Sequence, residues 1–209
     1  AYDIRGIVKE TLNSIDAERL GNIFASLFVH KKKIIVCRDG RLSSPKLIDS
    51  LKKGLYESGA DVLDIGLGPS PMLYFAANKL KSEGAIMVTG SHNPPNYNGF
   101  KIMKGTVPFY GKDILDIGIK ALNSDWQFSK GTIKSYDIED EYIKTLIKSC
   151  KISNFKENLK VAWDPGNGAA GNIIKKLVKL IPGEHVLVNE DIDGLFPSHH
   201  PDPTDPKNL

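Results

Sequence analysis

Short apolar runs alternate with longer amphipathic segments through the first 150 residues, and this alternation constrains the fold more than any other feature. Three runs have the length and composition of buried strands, namely Lys33–Cys37, Asp61–Gly66 and Gly84–Thr89. Helical spacing lies between them, and Ser44-Pro45 and Ser70-Pro71 each supply an N-cap and a first-turn proline. Strands that alternate with helices form parallel pairs joined by crossovers, so the pattern predicts an α/β fold.

A fourth strand, Phe100–Lys104, follows the third without an intervening helix. Such a short connection cannot make a parallel crossover, so this strand should run antiparallel to Gly84–Thr89. Two further helices, Lys112–Leu122 and Ile138–Cys150, flank a short strand at Gly131–Ser135. We therefore predict a mixed, mostly parallel sheet sandwiched between helices.

A second unit begins near Asn154. Its elements are a strand at Leu159–Trp163, a helix at Asn172–Ile181 and a strand at His185–Asn189. One piece of this kind cannot cover both faces of a parallel sheet. The sequence thus predicts one domain over residues 1–150 and the start of a second, similar α/β domain over residues 151–209, and we expect a longer parent protein.

The composition argues against several classes of protein. The formal net charge is +3, from 28 basic and 25 acidic residues, which favours neither nucleic acid nor a membrane surface as a partner. The sequence contains no signal peptide and no apolar run long enough to span a bilayer. Cys37 and Cys150 have no metal or redox spacing, so we expect buried free thiols and a cytoplasmic protein.

A serine stands alone where the third strand ends, in the run Thr89-Gly-Ser-His-Asn-Pro-Pro-Asn-Tyr-Asn-Gly-Phe-Lys-Ile102. Ligands of open α/β sheets collect at the carboxyl ends of strands, which is where Ser91 lies. Pro94 and Pro95 stiffen the loop. A serine hydroxyl needs activation before it reacts, and His92 and Lys101 are the nearby candidates.

Three interpretations of Ser91 remain open on the residues alone. It is a turn residue that only caps the loop, an acyl-hydrolase nucleophile, or a phosphoryl acceptor. The nucleophile elbow of acyl hydrolases requires glycine two residues after the serine, whereas this chain has Asn93. An amide-rich loop near Arg or Lys suits phosphate, which needs many donors and positive charge.

The serine loop resembles the phosphoserine loop of the α-D-phosphohexomutases, in its phosphomannomutase/phosphoglucomutase form. Further segments resemble other motifs of that family, in family order: Ala1–Gly6, Arg38–Pro45, Asp164–Gly168 and Asp193–Asp202. The matches extend over nearly the whole chain. The resemblance implies an intramolecular phosphotransferase, an isomerase of carbohydrate metabolism that acts on phosphosugars.

In that family the loop serine is a phosphoserine, and Ser91 matches it. The resemblance implies that Ser91 passes its phosphoryl group to a hexose monophosphate, that hexose 1,6-bisphosphate is the intermediate, and that the phosphoserine is one ligand of Mg²⁺. Arg5 matches an arginine near the phosphoserine; the alternative is a surface ion pair.

Other positions match in the same way. Lys101 matches a lysine that acts as general acid or base, for which the alternative is a fixed point charge. Tyr2 matches a substrate-contacting residue, although a packed tyrosine fits as well. His92 and Asn93 are expected to shape the loop and to contact the phosphate.

Two other segments have a simpler interpretation beside the chemical one. Asp164–Gly171 could cradle a phosphate, but glycine for a tight turn explains the segment better. His199, His200 and Asp202 could form a metal site, but adjacent histidines rarely ligate one ion. We expect neither function.

The chain departs from the family pattern after its second domain. The aspartate-rich metal loop of the family, Asp-Gly-Asp-Gly-Asp-Arg, and the third and fourth domains are absent. We therefore expect the other Mg²⁺ ligands and the sugar-recognising domains to lie in the remainder of the parent chain, and this chain alone to be inactive. A phosphoglucosamine mutase and a non-catalytic sugar-phosphate-binding module are the alternatives.

Overall fold

The computed structural model describes residues 3–29, 32–123, 126–150, 159–202, 204 and 206–208. Its elements, in chain order, are β1 (Ile4–Ile7), α1 (Ser14–Ser26), β2 (Lys33–Arg38), α2 (Ser44–Glu57), β3 (Asp61–Leu67), α3 (Ser70–Lys79), β4 (Gly84–Val88), β5 (Tyr97–Lys104), β6 (Val107–Phe109), α4 (Lys112–Leu122), β7 (Thr132–Ser135), α5 (Glu139–Ser149), β8 (Lys160–Trp163), α6 (Gly171–Leu177) and β9 (Glu184–Leu187). A 3₁₀ turn, Pro206–Asn208, follows.

Strands β1 to β7 form one seven-stranded sheet with the order β1-β5-β4-β2-β3-β7, in which β6 pairs with β5. Strands β2, β3, β4 and β7 pair in parallel, whereas β5 is antiparallel to both β4 and β1. The predicted mixed, mostly parallel sheet is confirmed, and so is the antiparallel direction of the strand after the serine loop.

Helices cover both faces of this sheet, as predicted. Alternate residues of the central strand β2 point to opposite faces. Ile34 and Val36 pack with α1, α2 and α4, while Ile35 and Cys37 pack with α3 and α5. The sheet is therefore buried on both sides, which explains the continuous apolar runs of its parallel strands.

The second unit is small, and its two strands, β8 and β9, pair in parallel with Val161 opposite His185. Helix α6 connects them and packs against α5, where Ile173 and Leu177 join the core of the second sheet face. The start of a second α/β domain is thus present. The predicted boundary between residues 150 and 151 lies at the edge of the segment 151–158, and the predicted start near Asn154 lies within it. That segment is outside the described residues.

Several local predictions are wrong. Ser43 and Pro69, rather than Ser44 and Ser70, precede α2 and α3, and neither cap makes a side-chain hydrogen bond. The first-turn prolines are present in both helices. Strands β1 and β6 were not predicted, and α6 ends at Leu177 rather than at Ile181.

The cysteines differ in exposure. Cys37 is fully buried, as predicted, but Cys150 is only half-buried. Burial, reinforced by nearby carboxylates, raises the pKa of the Cys37 thiol to about 12. Among the helices that the structure describes, none is both long and apolar enough to cross a membrane.

Candidate functional site

Two loops leave the carboxyl edge of the sheet side by side. Arg38 pairs with Val88 at the ends of the parallel strands β2 and β4, so the turn that starts at Asp39 lies next to the serine loop, Thr89–Asn96. A cleft of about 280 Å³ opens there, between the sheet edge, the start of α3 and the second unit. Its lining includes Asp39, Ser70, Ser91, His92 and Ala169. The prediction that Ser91 lies at a strand's carboxyl end is correct.

The carboxylate of Asp39 connects these two loops. Its Oδ2 accepts a hydrogen bond from the Gly90 amide at 3.1 Å, and its Oδ1 accepts from the Arg41 amide at 3.0 Å. Ser44, expected at the helix cap, instead donates its hydroxyl to Oδ1 at 2.5 Å. Asn98 Nδ2 donates to that hydroxyl oxygen at 2.9 Å, which extends the buried network to β5. The base of the serine loop is therefore held by polar contacts from three elements.

Ser91 itself has a left-handed backbone, with φ of +53°. This conformation is uncommon for a residue with a side chain. It is held by a hydrogen bond from the Ser91 amide to Thr89 Oγ1 at 2.9 Å, and by one from Asn93 Nδ2 to the Gly90 carbonyl at 2.9 Å. Ser91 remains half-buried and lines the cleft, so its hydroxyl can meet a ligand there.

The exposed imidazole of His92 contributes little to this arrangement. Its Nδ1 lies 3.4 Å from Ser91 Oγ, which is long for a hydrogen bond between oxygen and nitrogen. The contact does not orient Ser91. His92 lines the cleft, however, where a ligand could meet it.

Arg5 and Lys101 are brought together by a residue that the sequence did not single out. Asp3 Oδ2 accepts from Arg5 Nη2 at 2.7 Å and from Lys101 Nζ at 2.8 Å. Arg5 also donates to the Thr89 carbonyl, so it lies directly beside the serine loop. Burial raises the pKa of Asp3, but the hydrogen bonds from Lys101 and Arg5 outweigh it and hold that pKa below its usual value.

Two candidate functional residues, Asp39 and Arg41, were not predicted individually from the sequence. Asp39 and Arg41 were noted only as part of a motif, yet Arg41 is fully buried and donates to three carbonyl groups of the serine loop and to that of Tyr97, where β5 begins. The only signal was two charged residues flanking Gly40 in the turn after β2. Tyr2 is among the residues that the structure does not describe.

The side chain of Asp164 stabilises its own turn through contacts with nearby residues of the second unit. Asp164 Oδ1 accepts from the Gly166 amide at 2.7 Å, and Oδ2 lies 3.1 Å from His199 Nε2. The hydrogen bond with the His200 carbonyl, followed by the contact with Asp164, raises the pKa of His199. These contacts support the interpretation as a structural turn. Within the described parts of the chain, no three His, Cys, Asp or Glu side chains are grouped so that they could hold a metal ion.

Taken together, the fold and the site define an α/β protein with a rigid polar serine loop at the carboxyl edge of its sheet, flanked by paired cations. The chain belongs to the phosphoglucomutase/phosphomannomutase family. Residues 1–121 match the model of alpha/beta/alpha domain I of that family, and residues 140–209 match the model of domain II.

Similar proteins cover the whole chain. A phosphomannomutase/phosphoglucomutase of Pseudomonas putida is 40% identical over 211 residues, and a phosphoglucomutase of Neisseria meningitidis serogroup A is 40% identical over 214. A solved phosphoglucomutase/phosphomannomutase family protein of Burkholderia thailandensis superposes with a TM-score of 0.93 at 39% identity, and all of this chain and 47% of that chain are covered. All of this chain is covered in the two curated relatives as well, but it spans only 45% and 46% of their length.

Proposed function

We propose that this chain is the phosphoserine-bearing part of a phosphomannomutase/phosphoglucomutase, which interconverts hexose 1-phosphate and hexose 6-phosphate through a hexose 1,6-bisphosphate. The observation that carries the proposal is the placement of Ser91. Ser91 lines a cleft at the carboxyl edge of the sheet, on a loop held by Asp39, and Arg5 contacts the same loop. The relatives named above, a phosphomannomutase/phosphoglucomutase and a phosphoglucomutase, support the reaction class.

The proposed chemistry is two phosphoryl transfers through Ser91. In the first, the bond between phosphorus and Ser91 Oγ breaks, a bond from phosphorus to a sugar hydroxyl oxygen forms, the proton of that hydroxyl passes to a base, and Ser91 Oγ takes up a proton. In the second, Ser91 Oγ gives up its proton and bonds to the phosphorus of the other phosphoryl group, the bond from that phosphorus to the sugar oxygen breaks, and the sugar oxygen takes up a proton. Positive charge from Arg5 offsets the charge on the transferring group.

Lys101 is the candidate for the proton transfer. Its ammonium is held by Asp3 at 2.8 Å, on the strand that follows the serine loop. Within this proposal Lys101 acts as general acid or base, or as a fixed charge beside the phosphate, and Asn93 and His92 contact the phosphate from the loop. Tyr2 is assigned a substrate contact by the family motif alone.

Mg²⁺ enters the proposal only through the phosphate on Ser91. The acidic side chains that contact the loop and its cations, Asp39 and Asp3, already accept hydrogen bonds from protein donors. The described residues therefore do not form a cation site of their own, and a metal bound by the phosphoserine needs further oxygen ligands from elsewhere in the parent protein. When bound, it would neutralise charge on the transferring group.

The deciding experiment replaces the hydroxyl in the full-length protein. Ser91→Ala should abolish conversion of glucose 1-phosphate and mannose 1-phosphate, because each turnover uses the Ser91 phosphate twice. Intact-mass analysis should find one phosphate on the wild type and none on the variant. Near-normal activity of Ser91→Ala, with the phosphate at another residue, would make Ser91 a turn residue only.

Arg5→Ala provides the graded comparison. It removes one charge-assisted contact and leaves the covalent carrier intact. Such a contact is worth about 1.5–3 kcal/mol, so the rate should fall about ten- to hundredfold, far less than for Ser91→Ala.

Conversion of glucosamine 1-phosphate in preference to both hexose 1-phosphates would instead assign the parent to the phosphoglucosamine mutases.

A further inference from the structure

Arg41 carries a charged side chain with no exposed surface, packed against the serine loop. Each terminal nitrogen of a guanidinium has two hydrogens. Nη1 donates to the carbonyls of Pro94 at 2.6 Å and Tyr97 at 3.1 Å, and Nη2 donates to those of Ser91 at 2.9 Å and Asn93 at 2.7 Å. One guanidinium therefore fixes the orientation of four peptide groups around Ser91.

These hydrogen bonds leave Arg41 no terminal donor with which to bind a phosphate. All four terminal hydrogens are committed to backbone carbonyls. The Nε atom lies 3.2 Å from Asp39 Oδ2 as an ion-pair contact, without the alignment of a hydrogen bond. Arg5, by contrast, keeps 21% of its side chain exposed. Arg41 can therefore act on the reaction only through the loop that it holds.

The loop depends on this contact because its carbonyls converge on one point. Without the guanidinium, four carbonyl oxygens and the Asp39 carboxylate would face one another in a buried space. Gly90 shows how closely the parts fit, since a Cβ at that position would lie 2.2 Å from Arg41 Nε. A backbone held this way keeps Ser91 in its left-handed conformation.

A residue of the second unit, Phe196, packs against the guanidinium of Arg41. The ring of Phe196 lies 5.0 Å from the guanidinium carbon, within the range of a cation–π contact. The same segment presses on the turn before Arg41, because a Cβ at Gly40 would lie 2.3 Å from Ile192 Cγ2, and one at Gly194 would lie 2.7 Å from the Gly40 carbonyl oxygen. The turn is thus clamped between the serine loop and the segment Asp191–Phe196.

We propose that Arg41 is a positioning residue for Ser91, and that Phe196 makes this positioning depend on the docking of the second unit against the first. The inference rests on the proposed role of Ser91 as phosphoryl carrier, but it concerns a different part of the molecule. The order of the serine loop is then a property of the interface between the two units, not of the first domain alone.

The first experiment uses Arg41→Lys in the full-length protein. Lysine keeps the charge but offers a single ammonium, which cannot replace a planar fork with four donors. We expect kcat to fall about ten- to hundredfold with the KM for glucose 1-phosphate little changed. Amide hydrogen exchange in residues 90–98 should accelerate, while the rest of the sheet stays protected. Arg19→Lys, at an exposed position of α1, is the matched control and should change neither readout.

The second experiment uses Phe196→Leu, which removes the ring and keeps an apolar side chain. Exchange in residues 90–98 should again accelerate, although the substitution lies about a hundred positions away in sequence. Leu195→Ala, at the exposed neighbouring position, should leave that exchange unchanged. If Phe196 acts through Arg41, the effects of Phe196→Leu and Arg41→Lys on loop exchange should be non-additive.

The outcomes separate this inference from the proposed function. Unchanged loop exchange in both variants, or strictly additive effects, overturns the inference even if Ser91 proves to be the phosphoryl carrier. If Ser91→Ala remains active, the proposed function fails, while hydrogen exchange still decides whether Arg41 and Phe196 hold the loop. If Arg41→Lys does not fold, Phe196→Leu and its control still provide the test.

Discussion

Asp3 and Lys101, which are far apart in the sequence, meet in an ion pair of 2.8 Å beside the serine loop. Arg5 binds the same carboxylate oxygen of Asp3. The pairing is possible because β1, which begins one residue after Asp3, runs antiparallel to β5 with Arg5 opposite Gly99, two residues before Lys101. A single carboxylate therefore organises both cations that flank the site.

This arrangement predicts a pH-dependent contribution of Asp3 to stability. Its pKa in the folded chain lies below the usual 3.8, so its contribution is present above pH 3.8 and is lost as the pH falls through the folded value. The difference in unfolding free energy between the wild type and Asp3→Asn should therefore be constant from pH 7 to about pH 5 and shrink below pH 3.8. Urea unfolding across that pH range measures it.

The exposed pair between Lys53 and Glu18, also 2.8 Å long, provides the control. Solvent screens a pair of this kind, so Glu18→Gln should change the free energy of unfolding little at any pH. A wild-type advantage over Asp3→Asn that is as large at pH 3 as at pH 6 would contradict the assignment.

Gly90 is the second position for which the structure predicts a clear outcome. A Cβ there would overlap the buried guanidinium of Arg41, which has no room to move. Overpacking of this kind costs about 1–3 kcal/mol, so Gly90→Ala should lower the urea midpoint of unfolding. Gly118→Ala is the matched control, since that glycine lies at an exposed position of α4 with open space around it. It should stabilise by up to about 1 kcal/mol, and equal effects at the two glycines would refute the packing argument.

The sequence predicts the core of this fold because its parallel strands are apolar on both faces and its connections are regular. It fails at β1, where Arg5 and Gly6 interrupt the four-residue strand Ile4–Ile7, and at β6, whose three residues include Pro108. Neither segment has an apolar run that periodicity could detect. Both join the sheet only through β5.

The candidate site likewise contains some residues that the sequence predicts and others that it does not. Ser91 is predictable because it ends a strand in a distinctive loop. The role of Arg41 is not, because arginine is rarely fully buried and its acceptors are backbone carbonyls 50 to 56 positions later. Asp3 was missed because its function depends on partners on another strand.

The two cysteines provide a third prediction that needs no substitution. Cys37 is buried with its pKa raised to about 12, whereas Cys150 is half-buried. A thiolate is the reactive species, so Cys37 should be inert in the native chain. Titration of the 209-residue chain with a disulfide reagent at pH 8 should consume one thiol rapidly and the second only in denaturant. Two rapid thiols would show that β2 is accessible.

The last prediction concerns the chain on its own. It carries domains I and II of the family and spans under half the length of its curated relatives. Its described residues contain no metal-binding cluster, and the acidic groups beside the serine loop are already bound to protein donors. The described residues would then supply no metal site to a phosphoryl group on Ser91. We therefore expect no conversion of glucose 1-phosphate by the purified 209-residue chain, measured by a coupled assay of glucose 6-phosphate with the full-length protein as the positive control. Turnover on the order of 10 per second, typical of complete enzymes, would mean that the catalytic groups lie within these two domains after all.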